Sequence, residues 1–88
     1  MIQFEQVWER IRRHAGEVFT TVTGLTFTYE VPGNFLLVDR TVRNLSRSNF
    51  EKALAFMPAS SPSELKERQG ASYTWAILMD SRIRLSDW

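Results

Sequence analysis

Residues 25–38 read LTFTYEVPGNFLLV, and this stretch decides the fold class that the sequence predicts. Apolar and polar residues alternate from Leu25 to Val31, and a period of two is typical of a strand with one buried face. The Pro32-Gly33 pair then favours a type II turn, because proline presets the first turn angle and glycine tolerates a positive φ at the next position. The apolar run from Phe35 to Val38 predicts a returning strand, so the stretch is expected to form a β-hairpin.

Another strand is predicted just before this hairpin. Residues 17–23 are rich in Val, Phe and Thr, which favour strands, and Gly24 makes a short break after them. A short connection favours antiparallel neighbours. The segments 17–23, 25–31 and 35–38 are therefore predicted to form a three-stranded antiparallel meander.

The N-terminal segment predicts a helix from Ile2 to His14. Its apolar residues recur at helical spacing and form one stripe. Glu5 lies in the first half and the arginines lie towards the end, an order that complements the helix dipole. Gly16 follows as a stop signal.

Further helices are predicted after the meander. One begins at Ser46 or at Ser48, because both serines can cap the same helix. A short helical turn is expected at residues 65–69, and the apolar segment 72–79 predicts a helix buried on several sides. Residues 82–85 alternate, which favours a short fourth strand or an extended tail.

Together these segments predict a single α+β domain over residues 1–88. It comprises an N-terminal helix, the three-stranded antiparallel meander and two to three C-terminal helices, packed in two layers. A chain of 88 residues is typical of one domain. The predicted core consists of Phe4, Val7, Trp8, Ile11, Phe27, Tyr29, Leu37, Phe50, Leu54, Tyr73, Ile77 and Leu78.

Charge and cysteine content restrict the classes of function. Eleven basic and ten acidic residues leave a net charge of +1, which does not by itself indicate a nucleic-acid binder. The absence of cysteine excludes disulfides and thiolate metal sites and favours a cytoplasmic protein. No apolar run approaches the roughly 20 residues of a membrane span, and no signal segment opens the chain, so no membrane partner is expected.

The sequence shows no pattern typical of catalysis. His14 is the single histidine, and we interpret it as a favourable cation at a helix end rather than as a catalytic or zinc-binding group. The serines fit capping positions better than a nucleophile motif, and the four glycines are too dispersed for a phosphate-binding loop. We therefore predict a protein that is not an enzyme and has no catalytic residue, metal site or cofactor.

An arginine-rich segment leads into the second helix. Residues 40–50 carry three positive charges and no negative charge, and free amides at a helix N-terminus also favour phosphate. This pattern predicts a DNA- or RNA-binding surface as one alternative. A solvated loop with scattered ion pairs is the other interpretation. The candidate nucleic-acid-binding residues are Arg40, Arg43, Arg47 and Lys52.

A protein partner, including a second copy in a homodimer, is the leading prediction. If Phe19 and Leu36 point away from the helices, they form an exposed apolar patch of the kind found at protein interfaces. Trp88 is unusual for a free tail and is expected to dock on a surface. Phe19, Leu36 and Trp88 are therefore the candidate partner-binding residues.

Several residues from Gly24 onward form a recognisable combination. They are Gly24, Phe27, Tyr29, Gly33-Asn34, Arg40-Thr41, Ser48, Phe50 to Leu54, Gly70, Ser72-Tyr73, Trp75 to Leu78, Asp80 and Arg82-Ile83. With this combination the chain resembles a recurring type of small bacterial protein, of the kind carried on mobile gene cassettes or as an accessory domain. The resemblance implies no activity, so no functional residue is transferred by it.

Overall fold

The computed structural model describes residues 2–65 and 69–88. It confirms the α+β class, with an N-terminal helix, a three-stranded antiparallel sheet and C-terminal helices. No helix in these ranges is long and apolar enough to cross a membrane. The elements are α1 (Phe4–Arg13), β1 (Phe19–Thr20), β2 (Thr26–Phe27), β3 (Tyr29–Glu30), β4 (Phe35–Val38), β5 (Asn44–Ser46), α2 (Arg47–Leu54), a 3₁₀ helix (Pro62–Leu65), α3 (Ala71–Met79) and α4 (Ser81–Arg84).

The first helix follows its predicted stripe. Val7, Trp8 and Ile11 are buried, and Phe4 packs on the edge of the same core. The chain leaves the helix through Gly16, whose φ of 88° lies in the left-handed region that glycine adopts without strain. After Gly16 the chain changes direction and enters β1.

The strands pair differently from the predicted meander. β1 and β2 form a two-stranded antiparallel sheet, whereas β3, β4 and β5 form the three-stranded one. The chain passes from one sheet to the other at Thr28, whose N–H donates to Asp39 Oδ1 at 3.0 Å. The third member of the larger sheet is β5, which lies in the segment that we expected to be a polar connection and a helix start.

The predicted exposure of Phe19 and Leu36 is wrong, because both side chains are buried, at 1% and 0% exposure. Directly opposed residues share a face of an antiparallel pair. Phe19 opposes Phe27 and its ring centroid lies 5.1 Å from that of Tyr29, so an aromatic cluster holds it inside. These two residues cannot form the apolar surface patch expected of them.

The predicted buried face of β4 is wrong for the same reason, because Leu36 and Val38 face the core instead of Leu37. Tyr29 opposes Val38, which places Val38 inside, and Leu36 shares that face because it lies two residues earlier. Leu37 is only half-buried, so its assignment to the core is wrong. A continuous apolar strand gives no alternation from which the buried face can be read.

The connection between β3 and β4 is not the predicted type II turn. Such a turn needs a positive φ at Gly33, and Gly33 is not among the glycines with positive φ. Residues 32–34 form bends instead, and the Asn34 carbonyl accepts a hydrogen bond from the Arg47 N–H at 2.8 Å. The start of α2 therefore holds this loop.

The C-terminal helices complete the core. Phe50, Ile77 and Leu78 are fully buried, as predicted. The helical turn expected at 65–69 is represented by the 3₁₀ helix Pro62–Leu65, and residues 66–68 lie outside the described part of the chain. Residues 82–85 are not a strand, because Asp80 caps the N-terminus of α4 through the Arg82 N–H.

Candidate functional site

The exposed apolar side chains concentrate on the hairpin formed by β1 and β2. Val18, Val22 and Leu25 are 58%, 56% and 49% exposed, and they lie within eight positions of one another in the sequence. The other large exposed apolar side chains among the described residues are scattered along the chain. The β1–β2 hairpin is therefore the part of the described surface most suited to apolar contact.

The outward face of this hairpin carries valine and threonine. Phe19 and Phe27 face the core as a directly opposed pair, so the neighbouring pair of Thr20 and Thr26 faces outward. Both threonines are exposed. Val18 shares the outward face with Thr20 because it lies two residues before it.

The backbone of β1 has an open outer edge. The Thr21 N–H donates to the Leu25 carbonyl at 2.8 Å, and hydrogen-bonded pairs alternate along an antiparallel ladder. Phe19 and Thr21 therefore bond to β2, while the N–H and C=O of Thr20 point away from it. Within residues 2–65 and 69–88, no hydrogen bond reaches the backbone of Thr20 or Val22.

The outer edge of β2 is covered, in contrast. The side chain of Arg40 donates from Nε to the Thr26 carbonyl. Asp39 accepts from the Thr28 N–H at 3.0 Å and donates its own N–H to the Thr28 carbonyl at 3.0 Å. On the β1 edge of this hairpin, the Val18 carbonyl accepts from Arg82, and the backbone of Thr20 is left available for pairing with another strand.

Arg82 positions the beginning of the open edge. Its guanidinium bonds to Asp80 and Glu17, and it donates to the Val18 carbonyl at 2.9 Å. The same group lies 3.9 Å from the ring centroid of Phe19, which is a cation–π contact. Arg82 thus holds the beginning of β1, just before Thr20, against α4.

The charges around Arg82 stabilise one another. Hydrogen bonding to Asp80 raises the pKa of Arg82, so the guanidinium stays protonated. Burial raises the pKa of Asp80, but the hydrogen bonds that it accepts from Arg82 outweigh burial and lower the pKa overall. Hydrogen bonding to His14, and then to Arg82, lowers the pKa of Glu17. The carboxylates of Asp80 and Glu17 are therefore ionised near neutral pH, where they hold Arg82 beside the strand.

The candidate nucleic-acid-binding residues do not come together at one place. Arg40 caps the edge of β2, and Arg43 is exposed in the connection to β5, near the Val38 end of β4. Arg47 lies at the opposite end of that strand, because it follows Ser46, which opposes Phe35. Its side chain lies 3.8 Å from Glu5 and 5.2 Å from the ring centroid of Phe4. Lys52 is exposed on α2.

Trp88 docks on its own chain. Its indole Nε1 donates to the Leu78 carbonyl at 2.8 Å, and the side chain is half-buried against the core. It lines a shallow groove of about 420 Å³ together with Ile2, Leu54 and Met57. Part of the indole is therefore used for internal packing.

A polar cleft of about 480 Å³ lies between α1 and the β3–β4 loop. Its charged side chains pair internally, because Arg47 faces Glu5 at 3.8 Å and Arg12 faces Glu9 at 3.5 Å. Among the described residues, no group of three His, Asp or Glu side chains could hold a metal ion. The cleft thus presents no uncompensated charge that would select a ligand.

No protein-family model matches the chain, and no curated protein and no solved structure gives a significant match. The support for a role of the hairpin edge is therefore its geometry. Its sequence signal is the segment from Val18 to Tyr29, which contains no charged residue and no proline. Edge strands usually carry such residues as protection, and their absence could have directed attention to Val18 and Val22 rather than to Phe19.

Proposed function

We propose that this protein is a non-catalytic interaction protein that associates with protein, and first of all with a second copy of itself, through the open edge of β1. The observation that carries the proposal is the unequal treatment of the two hairpin edges. Asp39 and Arg40 cover the edge of β2, whereas the backbone of Thr20 has no partner in the described part of the chain.

Strand addition is the association that such an edge supports. An unpaired edge presents a row of backbone donors and acceptors to any extended segment. The exposed side chains of Val18 and Val22 lie beside these groups, so apolar contact would accompany backbone pairing. The absence of charge from Val18 to Tyr29 removes the repulsion that normally keeps edges apart.

Nucleic-acid binding has less support. Of the four candidate side chains, Arg40 bonds to the Thr26 carbonyl and Arg47 lies over Phe4 beside Glu5. A phosphate-binding surface needs several free cations on one face. Arg43 and Lys52 belong to different elements and do not supply such a face by themselves.

The proposal is tested by sedimentation velocity over about a hundredfold range of protein concentration, because self-association obeys mass action. We expect the wild-type protein to dimerise as its concentration rises. Thr20→Lys should keep the protein monomeric, because it places a charge at the centre of the open edge.

Thr26→Lys is the matched control. Thr26 opposes Thr20 on the same outward face but belongs to the covered edge, so this variant should dimerise like the wild type. A wild-type protein that stays monomeric throughout, or equal dimerisation of the two lysine variants, would contradict the proposal. Circular dichroism of both variants checks that they are folded.

A further inference from the structure

We propose that the groove beside Trp88 is a separate interaction site, which binds a basic, partly apolar segment of a partner protein. Most side chains that line this Trp88 groove are apolar, and two exposed carboxylates line it as well. The apolar side chains are those of Ile2, Leu54, Met57 and Trp88, and the carboxylates are those of Glu51 and Asp87. The groove lies outside the β1–β2 hairpin, so this inference does not rest on the proposed function.

The apolar side chains of the groove are only partly covered by the protein itself. Leu54, Met57 and Trp88 are half-buried against the core. The indole Nε1 of Trp88 already donates to the Leu78 carbonyl, so the exposed part of the ring is available for apolar contact. Removing such surface from water favours the binding of apolar side chains.

Exposed apolar surface continues beyond the groove at the end of α2. Phe56 lies between Ala55 and Met57, which both line the groove, and its side chain is 58% exposed. A small molecule needs enclosure on most of its sides. A shallow groove that continues into an exposed aromatic side chain is better suited to a peptide segment.

Glu51 is a carboxylate without an ion pair inside residues 2–65 and 69–88. On a helix, side chains three or four positions apart are close enough to pair. Arg47 is the one basic residue at such a position from Glu51. Its side chain lies instead 3.8 Å from Glu5 and over the ring of Phe4. The negative charge of Glu51 is therefore left for an external cation.

Asp87 adds a second carboxylate to the groove. It lies 2.7 Å from the guanidinium of Arg10, which is 15% exposed and also donates to the Ile83 carbonyl at 2.9 Å. Arg10 is thus held by its internal bonds and neutralises one of the two carboxylates. The groove remains negative on a protein whose formal net charge is +1.

These charges select the chemistry of the partner. An apolar groove alone would accept any apolar segment, whereas unpaired carboxylate charge attracts Lys and Arg and repels Asp and Glu. Lys and Arg also have aliphatic stems that can pack on the indole of Trp88, and their charged ends can lie over its face. The groove therefore fits a segment in which Lys or Arg lies next to a large aliphatic side chain.

Two synthetic peptides of equal length test this preference. One consists of leucine and lysine, and the other has glutamate at every lysine position. In an NMR titration of the full chain, the indole N–H signal of Trp88 should shift with the lysine peptide and not with the glutamate peptide. Isothermal titration calorimetry should show that affinity for the lysine peptide falls as salt rises, because salt screens the attraction.

Glu51→Lys should weaken binding of the lysine peptide about tenfold, because an attraction becomes a repulsion. Glu30→Lys is the matched control, since Glu30 is an exposed carboxylate of β3 outside the groove and the change in net charge is the same. Circular dichroism checks that both variants are folded. Thr20→Lys should bind the lysine peptide like the wild type, because the β1 edge is not involved.

Four results would overturn the proposal. Equal binding of the two peptides would show that the groove recognises apolar surface without regard to charge, and binding of neither would show that it is not a site for such segments. Equal weakening by Glu51→Lys and Glu30→Lys would assign the effect to net charge. A shift of the Trp88 signal with protein concentration alone would assign the groove to a second copy of this chain. None of these results decides the sedimentation test of the β1 edge.

Discussion

Arg82 connects α4 to the beginning of β1 through a single side chain. It joins α4 to the start of β1 across 64 sequence positions by its bond to the Val18 carbonyl, and it also bonds to Glu17 and Asp80. A planar guanidinium can make these bonds together, whereas a lysine ammonium cannot reproduce their geometry. Arg82 therefore fixes the position of β1, the strand whose edge we propose as the contact site.

We expect Arg82→Lys to lower the free energy of unfolding by about 1–2 kcal/mol, because the charge remains but the forked hydrogen bonds are lost. Urea unfolding of both proteins measures the difference. Arg43→Lys is the control, since Arg43 is exposed and should tolerate the change. Equal free energies of unfolding for the Arg82→Lys protein and the wild type would show that the hydrogen bonds of Arg82 do not stabilise the fold.

Asp80 should make stability depend on pH in the acidic range. Burial opposes its ionisation, but hydrogen bonds from Arg82 outweigh burial and hold its pKa below the ordinary value. A lowered pKa in the folded state stabilises the protein above the unfolded-state pKa, and this contribution is lost as the pH falls through the folded-state value. Asp80→Asn should therefore be less stable than the wild type at pH 7.

The difference between the two proteins should shrink as the pH falls below about 4, where the carboxylate becomes protonated. Urea unfolding at a series of pH values measures it. Asparagine can still cap α4, so loss of the cap is not the cause of the difference. A difference that stays constant with pH would contradict this account.

At the scale of elements, α2 shows how one cap is chosen from overlapping signals. Ser46 and Ser48 were both candidates in the sequence. The Ser46 side chain accepts from the Asn49 N–H at 3.1 Å, and Ser46 is also the last residue of β5. Pairing of β5 with β4 therefore decides where the helix begins. The local pattern indicated a cap, and the neighbouring strand selected the residue.

Ser46→Ala should lower the free energy of unfolding by about 1 kcal/mol, because a helix N–H loses its partner. Ser48→Ala is the matched control and should change stability little, since Ser48 is exposed and lies inside the helix. Thermal unfolding of both variants under identical conditions compares them. The opposite order of stabilities would indicate that Ser48 is the cap.

A buried amide joins α2 to the beginning of α3. Asn49 accepts from the Gln69 N–H at 2.9 Å and donates to the Gln69 carbonyl at 3.2 Å and to Thr74 Oγ1 at 3.1 Å. Buried groups that lose a partner cost more than the bond itself contributed. This contact fixes the relative position of the two helices.

Asn49→Ala should lower the free energy of unfolding by about 1–2 kcal/mol, because the Gln69 N–H loses its acceptor, while the Thr74 hydroxyl still donates to the Gln69 carbonyl. Asn44→Ala serves as the control, since Asn44 is an exposed residue of β5. Chemical unfolding with a fluorescence readout from the tryptophans measures both. If both variants lowered the free energy of unfolding by a similar small amount, the bridging role of Asn49 would be contradicted.

At the scale of the whole molecule, the chain builds two small sheets on one core. The aromatic side chains of the β1–β2 hairpin reach the helices, since the rings of Phe27 and Tyr73 lie 5.0 Å apart in an edge-on arrangement. The inner face of the hairpin is thus used for folding. Its outer face is exposed, and we propose that association with another molecule uses the β1 edge.

The thermal midpoint of the wild-type protein should therefore rise with protein concentration, because a dimer that forms only from folded chains adds to stability by mass action. The midpoint of Thr20→Lys should not change with concentration. Differential scanning calorimetry at low and high concentration measures both. A wild-type midpoint independent of concentration would count against dimerisation.

Local patterns were sufficient for some parts of this structure. The stripe of α1 and the burial of Phe50, Ile77 and Leu78 follow from helical spacing, which acts between residues three or four positions apart. The faces of the strands were harder to assign. The Phe19 prediction was wrong because alternation separates two faces without indicating which one meets the core.

The α+β class, the position of α1 and about half of the buried core follow from the sequence alone, because these depend on interactions between near neighbours in the chain. Three features became known from the folded structure: β5 joins the larger sheet, residues 81–84 form a helix, and Arg40 covers the edge of β2 while the backbone of Thr20 is unpaired. These outcomes depend on contacts between distant segments, such as Arg82 with Val18, and local periodicity carries no information about which distant segments meet.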